Sequence, residues 1–355
     1  MPARENNTMK CLPKTPAKLD KLAHLLRGKS NLLIVMQDNP DPDSIAAALA
    51  LRKLANTLAQ VHCSIAHGGT VGRGENRALV HYLNLNLRPF DQIELERFDL
   101  TAMVDTQPGA GNNSFPTDSV PNIVIDHHSC RRKTRAAQFV DVRKAYGATA
   151  TILFEYLCQA QVTPDVPLAT ALLYAIRSDT QDLGREAVRA DVEAIGALYP
   201  MANKRMLSHI QRGKVQREYF DLLAKAIENA KIYDNCIITS LGEIAIPDMV
   251  GEVADLLLRD DHAAWTLCCG IFAQKMLLSL RTSDATRRAD VIMRRIVARR
   301  GTGGGHDTIA GGQIPLKKGT KTELAKVEKA IRRKLLKSLA IEDHHPQSLI
   351  RTESS

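Results

Sequence analysis

The stretch "NLLIVMQDNPDPDSIAAALALRKLANTLAQ", residues 31–60, decides the fold. It opens on a short, fully apolar run, the pattern of a strand buried on both faces of a parallel sheet. An acidic, proline-broken loop follows, and from Ser44 to Gln60 the chain is Ala- and Leu-rich and reads as a helix. Pro42 restricts Asp41 to extended backbone, and Asp43 or Ser44 is placed to cap the helix. A loop of this kind is ordinarily a turn and a cap. Its surroundings give it more weight.

The same alternation continues outward. "VHCSIA" (61–66), "LTAMV" (100–104), "NIVI" (122–125) and "QFVDV" (138–142) are strand candidates. Helical segments stand at 75–84, 147–160, 167–178 and from Ala187. This predicts an α/β fold, an open, mostly parallel sheet with helices on both faces. Past Pro200 the pattern changes to a charged, helical stretch (203–231) without strands. Strands return at 236–241, 265–272 and 275–282, followed by an amphipathic helix (289–300) and a Gly-rich loop leading into a strand (301–316). A Lys-rich helix (321–338) completes a smaller α+β domain. The expected organisation is a flexible N-terminus (1–18), an α/β domain (19–200), a helical connector (201–232), a second domain (233–339) and a disordered tail (340–355).

With 355 residues, 44% hydrophobic and 25% charged, the chain can bury two cores. Aromatics are only 4%, which argues against a long base-stacking track. The net charge of +9 favours anionic partners, phosphates or nucleic acid. Basic runs at Arg131-Arg132-Lys133, Arg294-Arg295 with Arg299-Arg300, and Arg332-Arg333-Lys334 each read singly as a solvated helix face. Seven scattered cysteines without a C-x-x-C pair suit a reducing cytoplasm. No secretory leader is recognisable, and no apolar run approaches the roughly 18 residues of a membrane span.

Chemistry concentrates at strand ends. Asp41 and Asp43 follow the first strand, Asp105 ends "AMV", Asp126 ends "IVI", and Asp179 ends a helix. In an open parallel sheet such positions converge on one crevice, where clustered carboxylates repel one another unless a cation lies among them. His127 adds a nitrogen donor. Mixed carboxylate and imidazole ligation suits Mn2+ or a similar ion. Two such ions, roughly 3.5–4 Å apart, activate water for attack on phosphorus.

"NPDPDS", "VDT" (104–106), "IDHH" (125–128) and "SDT" (178–180) resemble, in order, the motifs of the DHH phosphoesterase superfamily. "SLRT" (279–282) and "GGGH" (303–306) resemble the DHH-associated C-terminal domain of its nanoRNase and RecJ branches. The resemblance implies two Mn2+ ions, or Mg2+, in an interdomain cleft, with Asp41, Asp43, Asp105, His127 and Asp179 as ligands. His128 with Asp105 and Asp126 is the implied catalytic set; Arg281, Gly303, Gly304, Gly305 and His306 would hold the substrate. The family's first motif usually opens with a histidine that ligates the first metal; here that place holds Gln37, a neutral, weaker donor.

The function implied is hydrolysis of short oligoribonucleotides or linear dinucleotides such as pGpG or pApA to 5′-mononucleotides, by a cytoplasmic protein, a homodimer allowed, with no membrane partner. The alternatives are a nucleotide-binding regulatory protein weakened at Gln37, or a phosphatase acting on cyclic dinucleotides or 3′-phosphoadenosine 5′-phosphate. A second Asp-His-His, at Asp343, His344 and His345, sits in the polar tail without partner acids and is expected to be inert.

Overall fold

A computed structural model describes residues 16–184, 187–284, 286–305, 308–343 and 345–350. The chain forms two compact units that meet in sequence at Lys214 and Val215.

In the first unit, α1 (Pro16–Leu26), β1 (Asn31–Val35), α2 (Pro42–Ala59), β2 (His62–His67), α3 (Gly74–Tyr82) and β3 (Arg88–Pro89) come first. Then follow β4 (Leu100–Val104), β5 (Ile123–Asp126), β6 (Phe139–Val142), α4 (Thr149–Gln159), α5 (Val166–Asp179), α6 (Arg189–Leu198) and α7 (Lys204–Gln211). The six strands run in the order β3-β2-β1-β4-β5-β6, all parallel. The strand order reverses direction between β1 and β4. That reversal opens a crevice at their carboxyl ends.

Side chains alternate across the sheet with period two. Leu32 and Ile34 face a large core with Leu54 of α2, Leu79 of α3, Phe154 of α4 and Leu172 of α5. Leu33 and Val35 face a smaller cluster with Met103, Phe115 and Val124, covered by Phe90, Ile93, Leu95 and Phe98. The expectation of helices on both faces is therefore corrected: the second face is covered by loops and 3-10 turns (Phe90–Gln92, Leu95–Arg97). The β4–β5 connection, rich in Gly, Asn and Pro, has no apolar helical period with which to build a covering helix. α2 is buried almost all round because it lies against both α4 and α5. Each buried leucine there, such as Leu51, contributes roughly 1.5–3 kcal/mol.

The second unit comprises α8 (Arg217–Asn229), β7 (Lys231–Tyr233), β8 (Cys236–Glu243), α9 (Met249–Leu257), β9 (Trp265–Phe272) and β10 (Lys275–Thr282). It continues with α10 (Ala289–Val297), β11 (Thr302–Gly305), β12 (Ile309–Pro315), α11 (Lys321–Leu339) and β13 (Gln347–Ser348). Its seven strands lie in the order β11-β12-β10-β9-β8-β7-β13, antiparallel except for β8 with β9. One core packs α10 and α11 on the sheet, and another packs α8 and α9.

Two sequence expectations change here. The Gly-rich "loop" is the edge strand β11, paired Gly303 to Gly312 and Gly304 to Gly311. Part of the stretch expected to be disordered is β13, tied to β7 by a ladder and by Lys231 Nζ donating to Ser348 Oγ at 2.9 Å. No helix among the described residues is long and apolar enough to cross a membrane.

Candidate metal centre

Asp41 caps α2. Its backbone is extended (φ −95°, ψ 177°), and its Oδ1 accepts from the Ser44 amide at 2.9 Å. The cap therefore falls on Asp41, not on Asp43 or Ser44, because Pro42 occupies the first helical position, where no N–H is needed. Asp43 is thereby released to reach α4: its Oδ2 and Oδ1 accept from the amides of Thr149 and Ala150, both at 2.8 Å. A helix N-terminus carries partial positive charge and holds a carboxylate well. Burial is still the largest influence and raises the Asp43 pKa, with His127 opposing it.

Asp105 ends β4 at φ 56°, a left-handed conformation that Asp tolerates better than most residues. Its amide donates to Ile125 O at 3.0 Å, and its Oδ1 accepts from Thr149 Oγ1 at 3.2 Å. Burial, and then the charges of Asp41, Asp43, Asp126 and Asp179, lift its carboxyl well above the usual range. A cation relieves that repulsion.

His127 Nδ1 lies 3.1 Å from Tyr146 O. A carbonyl only accepts, so Nδ1 carries the hydrogen and Nε2 keeps its lone pair for a metal. Nε2 is 3.2 Å from Asp179 Oδ2 and 3.6 Å from Asp105 Oδ1. Two groups of potential donors result, sharing His127: Asp43, His127 and Asp179, and Asp105, His127 and His128, the last a ligand only when its ring is neutral. Within each, one ligand atom per residue lies within 4.8 Å of the others. This oxygen and imidazole set fits a divalent cation of the Mn2+ type. A third group, Asp260, Asp261 and His262, is fully exposed and is an ordinary acidic turn.

Asp126 joins neither donor group. Its Oδ1 accepts from the His128 amide at 3.0 Å and from His128 Nδ1 at 2.8 Å. Burial works against ionisation of Asp126, but the hydrogen bonds and charge of His128 outweigh it and hold the carboxyl below its ordinary value. Burial likewise opposes the charged form of His128, and Asp126 overrides it, pushing the imidazole up to about 9. The geometry makes Asp126 the residue that orients His128.

Sequence reading missed the layer beneath. Gln107, 2% exposed, donates Nε2 to Asp126 Oδ2 at 2.5 Å and to Ser129 O at 3.2 Å. Its Oε1 accepts from the Arg131 amide at 2.8 Å and from Thr134 Oγ1 at 2.7 Å. Asp191 of α6 accepts from Gly147 N at 2.9 Å, Thr151 Oγ1 at 2.5 Å and Val188 N at 2.8 Å. It thereby pins the turn whose Tyr146 carbonyl orients His127. A Cβ on Gly147 would lie 2.4 Å from Thr180 Cγ2 and 2.9 Å from Asp191 Oδ2, so only glycine fits. Nothing in residue type marks Gln107 as part of a site, and Asp191 reads as a first-turn helix acid.

The remaining expected residues lie as follows. Gln37 Oε1 accepts from Asn112 Nδ2 at 3.4 Å. Arg281 is buried on β10, with Nε donating to Asp255 Oδ1 at 2.5 Å and a terminal nitrogen to Ser279 Oγ at 2.6 Å. Gly303 lies under α10, where a Cβ would meet Met293 Cγ at 2.9 Å, whereas Gly304 faces open space. Gly305 has φ 149°. His306 lies outside the described residues, as does His344. Asp343 pairs with Arg332 Nε at 3.2 Å.

Residues 31–176 match the DHH family, N-terminal domain, and residues 234–335 match the DHHA1 domain. It is similar to an uncharacterised protein of Methanocaldococcus jannaschii, 36% identical over 323 residues, which is 89% of this chain and 65% of that relative's length. In fold it is similar to an exopolyphosphatase-related protein from Bacteroides fragilis, with a TM-score of 0.73 and 17% identity over 92% of this chain and 99% of that one. It also resembles RecJ in complex with Mn2+ from Thermus thermophilus, with a TM-score of 0.53 and 17% identity over 92% of this chain and 56% of that one.

Proposed function

We propose that the chain is a metal-dependent phosphodiesterase that hydrolyses short oligoribonucleotides or linear dinucleotides to 5′-mononucleotides in the cytoplasm. The observation that carries this is the convergence of Asp43, Asp105, His127 and Asp179 past the strand ends of a parallel sheet. The DHH and DHHA1 matches, and the Mn2+ held by the similarly folded RecJ, support the reading.

Asp41, Asp43, Asp105, His127 and Asp179 would hold one or two divalent ions, with Gln37 Oε1 as a weaker neutral donor. A bound ion supplies Lewis-acid stabilisation of phosphoryl oxygens and lowers the pKa of water from 15.7 to about 7. His128, kept protonated by Asp126, holds a proton for the leaving oxygen. Gln107 fixes the Asp126 carboxylate that does this. Arg281, with the glycines of β11 and His306, would receive the distal phosphate or nucleotide. Incubation with pGpG, pApA and short RNAs, with Mn2+ and with EDTA, tests the reading; folded protein that turns over none of them refutes it.

One observation favours a second reading. Gln37 Oε1 is already engaged by Asn112, which suits a nucleotide-binding regulator with a weakened first site. A large rate gain in Gln37→His would support that reading, and little change would support an intact enzyme.

A further inference from the structure

The turn from Arg143 to Gly147 carries the Tyr146 carbonyl that fixes the His127 ring. Asp191 holds one end of it, at Gly147. A buried cluster holds the other. Arg143, just past β6, donates its amide to Asp126 O at 2.9 Å and so continues the β5–β6 ladder. Its guanidinium meets two buried carboxylates, Asp141 and Glu155. Nε and Nη2 donate to Asp141 at 3.0 and 2.7 Å. Nη1 donates to Glu155 of α4, and to the Tyr146 hydroxyl at 3.1 Å. That hydroxyl donates in turn to Glu155 Oε1 at 2.9 Å, and the guanidinium lies 5.0 Å from the centre of the Tyr146 ring.

Tyr146 is therefore held by its backbone and by its hydroxyl together, since its amide also donates to Arg143 O at 3.0 Å. This leaves its carbonyl aimed at His127 Nδ1, 3.1 Å away. If that carbonyl swung aside, the ring hydrogen would be free to move to Nε2. The lone pair that faces Asp179 and Asp105 would then be lost. Glu155 supplies a second link, because it belongs to the helix whose first amides hold Asp43 and whose Thr149 hydroxyl holds Asp105.

Two buried carboxylates need a cation, but charge balance alone needs no phenol. The Tyr146 hydroxyl carries no charge, and it is the part of the cluster that reaches the site. Nor would any cation serve. A lysine ammonium is a point charge, whereas the planar fork of arginine spans Asp141, Glu155 and the phenol at once.

We propose that Arg143 is a positioning residue of the metal centre: through the Tyr146 hydroxyl and Glu155 it aims the Tyr146 carbonyl. It thereby keeps the His127 hydrogen on Nδ1 and the metal-binding lone pair on Nε2. The inference rests on the reading above only for the metal; hydrolysis does not enter it.

The test compares two hydroxyl deletions within one cluster. Tyr146→Phe cuts the link to His127. Tyr156→Phe removes the hydroxyl that donates to Asp141 Oδ2 at 2.7 Å. Full-length protein labelled with 15N-histidine is measured in EDTA above about pH 8, where ordinary imidazoles are neutral. Long-range 1H–15N correlation then reports which nitrogen of His127 carries the hydrogen, the signal being assigned by its loss in His127→Gln. Wild type and Tyr156→Phe should show the Nδ1–H form, and Tyr146→Phe and Arg143→Lys a mixture of tautomers. In calorimetry with Mn2+ the latter two should bind about 10–100-fold more weakly, and Tyr156→Phe within about twofold of wild type. Thermal unfolding should show a lower Tm in all three. If Arg143→Lys does not fold, Tyr146→Phe, which keeps both charges of the Arg143–Glu155 pair, decides the matter. An unmixed Nδ1–H form in Tyr146→Phe overturns the proposal. So does a Tyr156→Phe variant that shifts tautomer and affinity as far as Tyr146→Phe does. Wild-type protein that binds no Mn2+ refutes the metal reading instead, and the tautomer comparison, made without metal, still decides this one. Mn2+ binding without turnover counts against the phosphodiesterase alone.

Discussion

Replacing Gln107 by Leu keeps an apolar stem of similar bulk and deletes four hydrogen bonds. Asp126 Oδ2 loses a charge-assisted donor at 2.5 Å, and Thr134 Oγ1 and the Arg131 amide lose their acceptor. A hydrogen bond to a charged group contributes about 1.5–3 kcal/mol and each neutral one about 1 kcal/mol, so the loss sums to roughly 5 kcal/mol. For a unit of this size that lowers Tm by roughly 10–20 °C. Function should suffer separately. With its second oxygen unheld, Asp126 no longer fixes the His128 ring, and loss of such orienting partners typically costs about 10–100-fold. The assays are thermal unfolding followed by circular dichroism, and dinucleotide turnover split into kcat and KM well below the new Tm. The fall should lie in kcat, because Gln107 acts only through Asp126 and His128. A Tm within about 2 °C of wild type and a kcat within twofold would refute the assignment of Gln107 as the support of His128.

Three further outcomes follow from the same geometry. His127→Ala should weaken Mn2+ binding by calorimetry at least tenfold, because both donor groups contain His127, whereas His345→Ala should leave it unchanged. Asp105→Asn should raise the Tm in EDTA, since it removes a buried charge ringed by four carboxylates yet keeps a residue type that accepts positive φ, and it should abolish turnover. Asp141 is fully buried; burial raises its pKa, but Arg143, Lys18 and Tyr156 outweigh that and lower it. Its stabilisation is therefore complete above the unfolded value of 3.8 and lost as pH falls through the depressed folded value, so Asp141→Asn should lower Tm at pH 6 and progressively less towards pH 2.

The first sheet was legible because buried parallel strands leave a strong mark. "NLLIVM" and "LTAMV" are continuous apolar runs, and an acid after each can only emerge at a carboxyl end. The loop-covered second face was not legible, since a loop that covers a sheet with Phe90, Ile93, Leu95 and Phe98 has no period to read. β11 was missed for a related reason. Glycine-rich sequence signals a loop, but Gly303 is small because Met293 and Val297 press on it, a packing constraint that appears only once α10 is in place.

At the metal centre the division has a physical cause. Donor atoms of the ligand layer must converge on one point, so they come from strand ends and from chemically distinctive residues, and both traits are visible in a sequence. The orienting layer need only place one hydrogen-bonding group correctly, and many residue types on many loops can do that. Gln107 and Asp191 are legible only through their partners. The first Asp-His-His is split between the two layers: His127 belongs to both donor groups, while Asp126 turns away from them to hold His128 and is held in turn by Gln107. In the second triplet, Asp343 is taken by Arg332. What separates the two copies is therefore less the triplet than the buried amide beneath the first.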